Sequence, residues 1–193
     1  MPRAEKVYAV AAIVNSSMDP RAATSLQVHL AEVTAIAAEP ALTQAKELLL
    51  EYGRFILAQP GVTGFCYGSL EQEAARLPVS YNQQGGGCLM AHVNGQPAGF
   101  VAWRALPAEV APSAWELKRL WVRPAARGLS LGRVLTQAVL DRARAALRAQ
   151  VFLDTVPTAM AAALRIYLQL GFEPCGPYND NPVEGLGYFV LNL

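Results

Sequence analysis

Residues 127–133 read Arg127-Gly128-Leu129-Ser130-Leu131-Gly132-Arg133, a glycine-bracketed turn between a strand-like run and an amphipathic stretch. Such a turn exposes the first N–H groups of the helix it opens. With the helix dipole these form an anion site that needs no particular side chain. Glycine permits the tight curvature and lets phosphate oxygens approach the main chain. The Lys-Ser/Thr ending of a P-loop is absent, and so is the middle glycine of a dinucleotide fingerprint. Taken alone, the turn also reads as a plain strand-to-helix connection.

Charge points the same way. Residues 116–150 hold eight Lys or Arg against Glu116 and Asp141, whereas the whole chain carries a net charge of only +1. A focus of this kind attracts a polyanion. Nucleic acid is the competing reading, but no aromatic-rich platform or basic recognition helix accompanies the charge. A compact phosphorylated cofactor fits better.

The elements that must hold this turn can be read from hydrophobic spacing. Residues 115–122 form a strand, and the helix starting near Leu131 buries Leu131, Val134, Leu135, Ala138 and Val139 on one face. Residues 151–155 are a short buried strand, so the two strands flank a right-handed crossover and lie parallel. Upstream, Asn94-Gly95 joins strands at 88–93 and 98–106 in a tight hairpin. Alternation marks a strand at 26–33. Helical spacing of Ala45, Leu48, Leu49, Phe55 and Ile56 marks a helix at 40–59 that Pro60-Gly61 stops. Residues 61–86 are a long connection with a helical patch at 70–76. Downstream, a helix at 157–170 ends on Gly171, and strands at 172–178 and 187–192 flank a polar loop at 179–185. The expectation is a mixed α/β (α+β) domain, its sheet largely antiparallel around one parallel pair.

Four pieces of this order resemble the GNAT superfamily of acetyl-CoA-dependent N-acetyltransferases, over residues 26–193. Glu116-Leu-Lys-Arg-Leu-Trp-Val-Arg-Pro124 is similar to the family's central strand. Arg127–Arg133 matches its Arg/Gln-x-x-Gly-x-Gly/Ala loop. Leu153-Asp-Thr155, Ala163 and Ile166-Tyr167 through Leu170-Gly171-Phe172 match the later strand and helix. The Asn94-Gly95 hairpin, with its Ala-Gly-Phe-Val strand, matches the pair preceding the central strand. Two positions depart from the pattern: Ser130 stands where a loop glycine is expected, and Met160 where an asparagine is often found.

The resemblance implies a single domain whose central sheet holds a splayed parallel pair and is flanked by helices. It implies acetyl-CoA as cosubstrate, held by Leu120, Trp121, Val122, Arg127, Gly128, Leu129, Ser130, Leu131, Gly132 and Arg133, with Thr155 and Ala163 on the far side. Main-chain groups of Leu120 to Val122 would pair with the pantetheine arm, and an N–H near Leu120 or Trp121 would hold the oxyanion. Tyr167 is the expected general acid and Glu116 the expected base, with pairing to Lys118 or Arg119, or plain exposure to solvent, as the alternatives for Glu116. Arg104 and Arg119 are candidates for an acceptor carboxylate or, more simply, for surface ion pairs. Phe65, Tyr67, Tyr81, Tyr178 and Asn179 fall where the acceptor pocket is walled. A primary amine of a small molecule, amino acid or peptide is the expected acceptor, and a non-catalytic acyl-CoA-binding module is the alternative function.

Composition narrows the setting. At 193 residues, 53% hydrophobic and 16% charged, the chain is neither disordered nor membrane-spanning by pattern. Cys66, Cys88 and Cys175 are distant and odd in number, which suits a reducing cytoplasm and no disulfide framework. With His29 and His92 as the only histidines, no metal site is expected. Residues 1–25 read as an N-terminal extension. Within it, the run 7–14 follows Arg3 and Lys6 but is short for a signal peptide and lacks a clean cleavage site, so an extra strand or arm is the preferred reading. No membrane or nucleic-acid partner is expected, and a homodimer is left open.

Overall fold

The computed structural model describes residues 7–8, 27–34, 39–60, 62 and 69–193. In chain order these form β1 (Val7–Tyr8), β2 (Val28–Glu32), α1 (Glu39–Leu57), α2 (Leu70–Ala75), α3 (Val79–Asn82), β3 (Gly87–Val93), β4 (Gln96–Ala105) and β5 (Ala114–Val122). There follow α4 (Leu131–Ala145), β6 (Gln150–Thr155), α5 (Ala161–Gln169), β7 (Glu173–Pro174) and β8 (Gly187–Asn192). The strands make one sheet in the order β1-β2-β3-β4-β5-β6-β8-β7. Its pairs are antiparallel except β5 and β6.

Helices cover both faces, which is why the central strands are apolar on both sides. On β3, Leu89 and Ala91 pack with α4 and α5, while Cys88 and Met90 pack with α1, α2 and α3. The β3–β4 turn is the tight one expected, with Asn94 at φ 49° and Gly95 at φ 78°. A 3-10 turn at Pro124–Ala126 leads from β5 towards α4.

Two features of β5 shape everything that follows. Its pairing with β6 covers only Ala114, Trp115 and Glu116, although β5 runs on to Val122, so the two strands part beyond Glu116. On its other side the ladder jumps: Phe100 faces Trp121 and Ala102 faces Lys118, leaving Arg119 and Leu120 opposite the single residue Val101. This is a β-bulge, with Arg119 in the left-handed region at φ 58°. The extra residue reverses the alternation of faces. Trp115 and Leu117 lie on the α4 side before it; Leu120 and Val122 lie there after it, and Trp121 turns to α1.

Three elements differ from the sequence reading. The helix expected at 157–170 begins at Ala161, because Ala159 and Met160 both donate their N–H to the carbonyl of Val156 in an isolated turn. The strand expected at 172–178 is reduced to Glu173–Pro174, since Pro174 and Pro177 cannot donate to a ladder. The connection 61–86 contains the additional short helix α3. Among the described residues no helix is long and apolar enough to cross a membrane. Of the N-terminal extension only Val7–Tyr8 is described, as a strand paired with β2; the remainder of 1–25, with Phe65, Cys66 and Tyr67, lies outside the described residues.

Candidate active site

Where β5 and β6 separate, a cleft of about 830 Å³ opens between β5, the turn before α4 and the start of α5. Leu120, Trp121, Val122, Arg127, Gly128, Ser130, Leu131, Gly132 and Ala163 all line it, so nine of the residues expected to hold a cofactor are brought together. Three are placed elsewhere. Leu129 packs against the main core, Arg133 is exposed on the first turn of α4, and Thr155 lines the adjoining chamber.

The cleft has an anion-binding end. Ser130 precedes α4 at φ 57° and ψ 16°, and its side chain makes no capping bond. Its carbonyl accepts from Val134 at 3.0 Å, so the N–H groups of Leu131, Gly132 and Arg133 head the helix without intrahelical acceptors. A non-glycine residue in this left-handed conformation costs about 1 kcal/mol. The departure at Ser130 therefore carries strain, but the donors remain. The departure at Met160 is equally visible: it caps α5 without a side-chain hydrogen bond.

One wall is aromatic. The Phe55 and Trp121 rings lie 5.1 Å apart, and the Arg127 guanidinium sits 5.7 Å and 5.4 Å from their centroids. Trp121 Nε1 donates to Glu51 at 3.2 Å and Arg123 grips the same carboxylate, which fixes α1 to the end of β5. The opposite wall is Ala163 and Ile166 of α5, and Gly132 lies between them and the sheet. A Cβ at Gly132 would stand 2.9 Å from Ile166 Cδ1, which leaves no room for a larger residue without displacing that wall.

The cleft continues into an inner chamber lined by Leu117–Leu120, Asp154–Val156, Tyr52, Met160 and Tyr167; Leu120 and Met160 line both spaces. Tyr167 is 4% exposed and packs 5.7 Å from the Phe172 ring. Burial, with smaller contributions from Tyr52 and Asp154, pushes its phenol well above the ordinary range, so it is protonated at neutral pH. Tyr52 and Asp154 had no role in the sequence reading. Tyr52 was nevertheless readable as a candidate, since it sits three residues from both Leu49 and Phe55 on the apolar face of α1.

Glu116 is fully buried. Its Oε2 accepts from Arg104 Nε at 2.6 Å; its Oε1 accepts from Lys118 Nζ at 3.0 Å, Tyr178 Oη at 3.1 Å and Asn179 Nδ2 at 3.2 Å. Four donors occupy the roughly four lone-pair positions of a carboxylate. Its burial overturns the solvent-facing reading, and the geometry matches ion pairing, with Lys118 and Arg104 as the partners. Asn179 also donates to Asp154 at 3.0 Å, as does Asn181, and Lys118 lies 3.9 Å from Asp154. Burial alone would raise the Asp154 carboxyl, but Lys118 and the two amides outweigh it and leave it below the usual range.

Arg119 turns away from this group. Its guanidinium binds Glu73 of α2 through two bonds, 3.0 Å and 2.7 Å, and lies over the Tyr52 ring. Tyr81 of α3 donates to the same carboxylate. The surface ion pair expected for Arg119 is thus a buried one. Burial would raise the Glu73 carboxyl; the Arg119 charge and hydrogen bonds more than reverse that, and it ends below its ordinary value.

Comparison with known proteins adds lineage to this geometry. A family model described as Acetyltransferase (GNAT) family matches residues 57–172. The chain is 35% identical to an uncharacterized N-acetyltransferase of Schizosaccharomyces pombe over 42% of this chain and 50% of that protein. It is 38% identical to an IAA acetyltransferase of Azospirillum brasilense, over 36% and 46% respectively. It thus spans about half the length of these curated relatives. Among solved structures it is similar to a GNAT-family acetyltransferase of Staphylococcus aureus Mu50, with TM-score 0.66 and 16% identity over 86% of this chain and 98% of that one. It is similar also to yncA of Salmonella typhimurium, solved with its cofactor acetyl-CoA, with TM-score 0.62 and 17% identity over 86% and 93%. At these identities the structural likeness establishes the fold.

Proposed function

From the premise that the chain belongs to the acetyltransferase (GNAT) family, whose model matches more than half of it, we propose that it transfers the acetyl group of acetyl-CoA to a primary amine of a small molecule, amino acid or peptide. The observation that carries the proposal is the junction of three features in one continuous space. These are unpaired helix-head amides, a bulged strand edge that has left its parallel partner, and a buried protonated phenol. The cleft suits a long phosphorylated cosubstrate, being apolar along most of its length with donors at one end.

When bound, acetyl-CoA supplies an activated acyl thioester. The amides of Leu131, Gly132 and Arg133 hold its phosphates, and main-chain groups of Leu120 to Val122, on the edge freed from β6, hold its arm. An N–H at the bulge stabilises the oxyanion that forms when the amine nitrogen attacks the carbonyl carbon. As that intermediate collapses, the new C–N bond remains and the C–S bond breaks. Tyr167 gives its proton to the departing thiolate.

The proton of the amine must also leave. Glu116 has its lone pairs filled, so its proposed role is to hold Arg104 and Lys118. Asp154, which lines the chamber, is the proposed acceptor of the proton. A carboxyl held below its usual range is a weak base, so the reaction draws on the small neutral fraction of the amine. The value of kcat/KM should therefore rise with pH towards the acceptor's own pKa.

The test is to incubate the protein with acetyl-CoA and a panel of amines, following thiol release and identifying acetylated products by mass. In parallel, CoA should raise the melting temperature by about 5–10 °C at a hundredfold excess over its Kd, from about 2.7 kcal/mol of linkage. Thermal stabilisation by CoA with no amine acetylated would leave a non-catalytic acyl-CoA-binding module. No stabilisation at millimolar CoA would overturn the cofactor assignment itself. The expected setting is the cytoplasm.

A further inference from the structure

Beyond Lys118 and Arg119, which line the inner chamber, the same two residues line a second cleft of about 620 Å³ walled by α2, α3 and the β4–β5 ladder. This outer cleft faces the chamber across the bulge of β5. Its charged lining is Arg76, Arg104, Lys118 and Arg119 against the single carboxylate Glu73. Arg119 is matched by Glu73, and Arg104 and Lys118 share Glu116, with Asp154 at 3.9 Å from Lys118. Among the described residues four cations thus stand against three carboxylates, of which only Glu73 lines this cleft.

The uncompensated charge sits on Arg76. It follows α2, is exposed, and its side chain makes no ion pair among the described residues. In the same wall Ser80 Oγ is buried without a hydrogen-bond partner among the described residues. Like charges gathered in one concave wall repel each other, and low-dielectric walls strengthen the field they make. An arginine on an open surface would be explained by solvation alone; one that adds to a wall already rich in cations favours an anion there.

We infer that the amine acceptor carries an anionic group, a carboxylate or a phosphate, seated in this outer cleft against Arg76 while its amine enters the chamber beside Asp154 and Tyr167. The inference rests on the acetyl-transfer reading above. Asp154 lines the chamber and not the outer cleft, and Arg76 lines the outer cleft and not the chamber, so this pair orients an acceptor of this kind amine-first. Arg76 is then a specificity-determining residue, and a guanidinium suits either anion by forming paired hydrogen bonds.

The experiment compares the common α-amino acids with their C-terminal amides, and phosphoethanolamine with ethanolamine, by acetylation kinetics and by thermal shift in the presence of CoA. At least one anionic acceptor should exceed its neutral counterpart tenfold or more in kcat/KM, mainly through KM, and should add to the thermal shift where the neutral one does not. Carboxylates leading, or the phosphate leading, identifies the anion. Arg76→Gln should collapse that ratio, Arg76→Glu should invert it, and Arg76→Lys should restore part of it. The CoA-induced shift of each variant reports whether the fold is intact. Neutral amines acetylated as well as acids, or a preference that survives Arg76→Glu, would overturn the inference while leaving acetyl transfer standing. Anion-selective binding without turnover would uphold the outer cleft and overturn the catalytic reading. No acetylation and no anion-selective shift would overturn both.

Discussion

At the scale of single residues the buried phenol of Tyr167 and the strained Ser130 lend themselves to opposite tests. Tyr167 is buried among Phe172, Ala163 and the main core, so removing its hydroxyl leaves the packing surface in place. Tyr167→Phe should keep CoA affinity and lower kcat by about 100-fold if thiolate protonation limits the rate. Turnover unchanged from the wild type would reduce Tyr167 to a packing residue. Ser130 holds φ 57° at the head of α4 with no side-chain bond to justify it. Ser130→Gly should therefore stabilise the protein by up to about 0.6 kcal/mol in urea unfolding, the relief of a left-handed conformation less the added freedom of the unfolded chain. A lower urea midpoint would show that the hydroxyl contributes more than the strain takes away.

Elements meet at two joints that decide the shape of the site. The first is α4 against α5 and β5, where Gly132 leaves just enough space for Ile166. Gly132→Val should push that side chain into the cofactor cleft and lower CoA affinity at least tenfold, about 1.4 kcal/mol, with an overpacking cost of about 1–3 kcal/mol in stability. Adding Ile166→Ala should recover much of both losses; if titration calorimetry shows no recovery, the obstruction lies at the helix head instead. The second joint is the Arg119–Glu73 pair between β5 and α2. Glu73→Gln leaves a buried guanidinium without its counter-charge and should cost about 3–5 kcal/mol, read as a shifted denaturation midpoint. A change under 1 kcal/mol would mean that Arg119 finds water or another acceptor.

For the molecule as a whole, these buried carboxylates set its response to acid. Glu73 and Asp154 both have carboxyl values below the ordinary ones in the folded state. A depressed folded value means that the unfolded chain binds protons more readily. The stabilisation is then complete above the ordinary carboxylate range near pH 4 and is lost as pH falls through the lower folded values. Urea midpoints should decline slightly below the histidine range near pH 6.5, where burial lowers the His92 imidazole, and fall steeply below about pH 4, and Glu73→Gln should flatten that steep fall. An equally steep decline in the variant would assign the acid response to other groups.

Legible in the chain were most of the elements in their order, the parallel β5–β6 pair, the glycine-bracketed turn before α4, and the inward position of Tyr167. Each of these follows from local signals: period-3.6 spacing, an Asn-Gly hairpin, a strand-to-helix glycine turn, and a tyrosine set four residues before a glycine cap. Residues close in the chain carry that information, so it is readable without knowing what packs against what. The central strand is the counter-example. Glu116, Lys118 and Arg119 sit in an otherwise apolar run, a sign that buried charges must find partners, yet nothing in the run names them. Those partners come from β4, α2, β6 and the loop after β7, up to 63 residues away. The bulge at Arg119 and Leu120 was equally hidden, because a register shift exists only between two strands and not in one. Tertiary structure alone therefore decided which carboxylate is bound up in ion pairs, which one faces the chamber, and that a cationic cleft lies behind it.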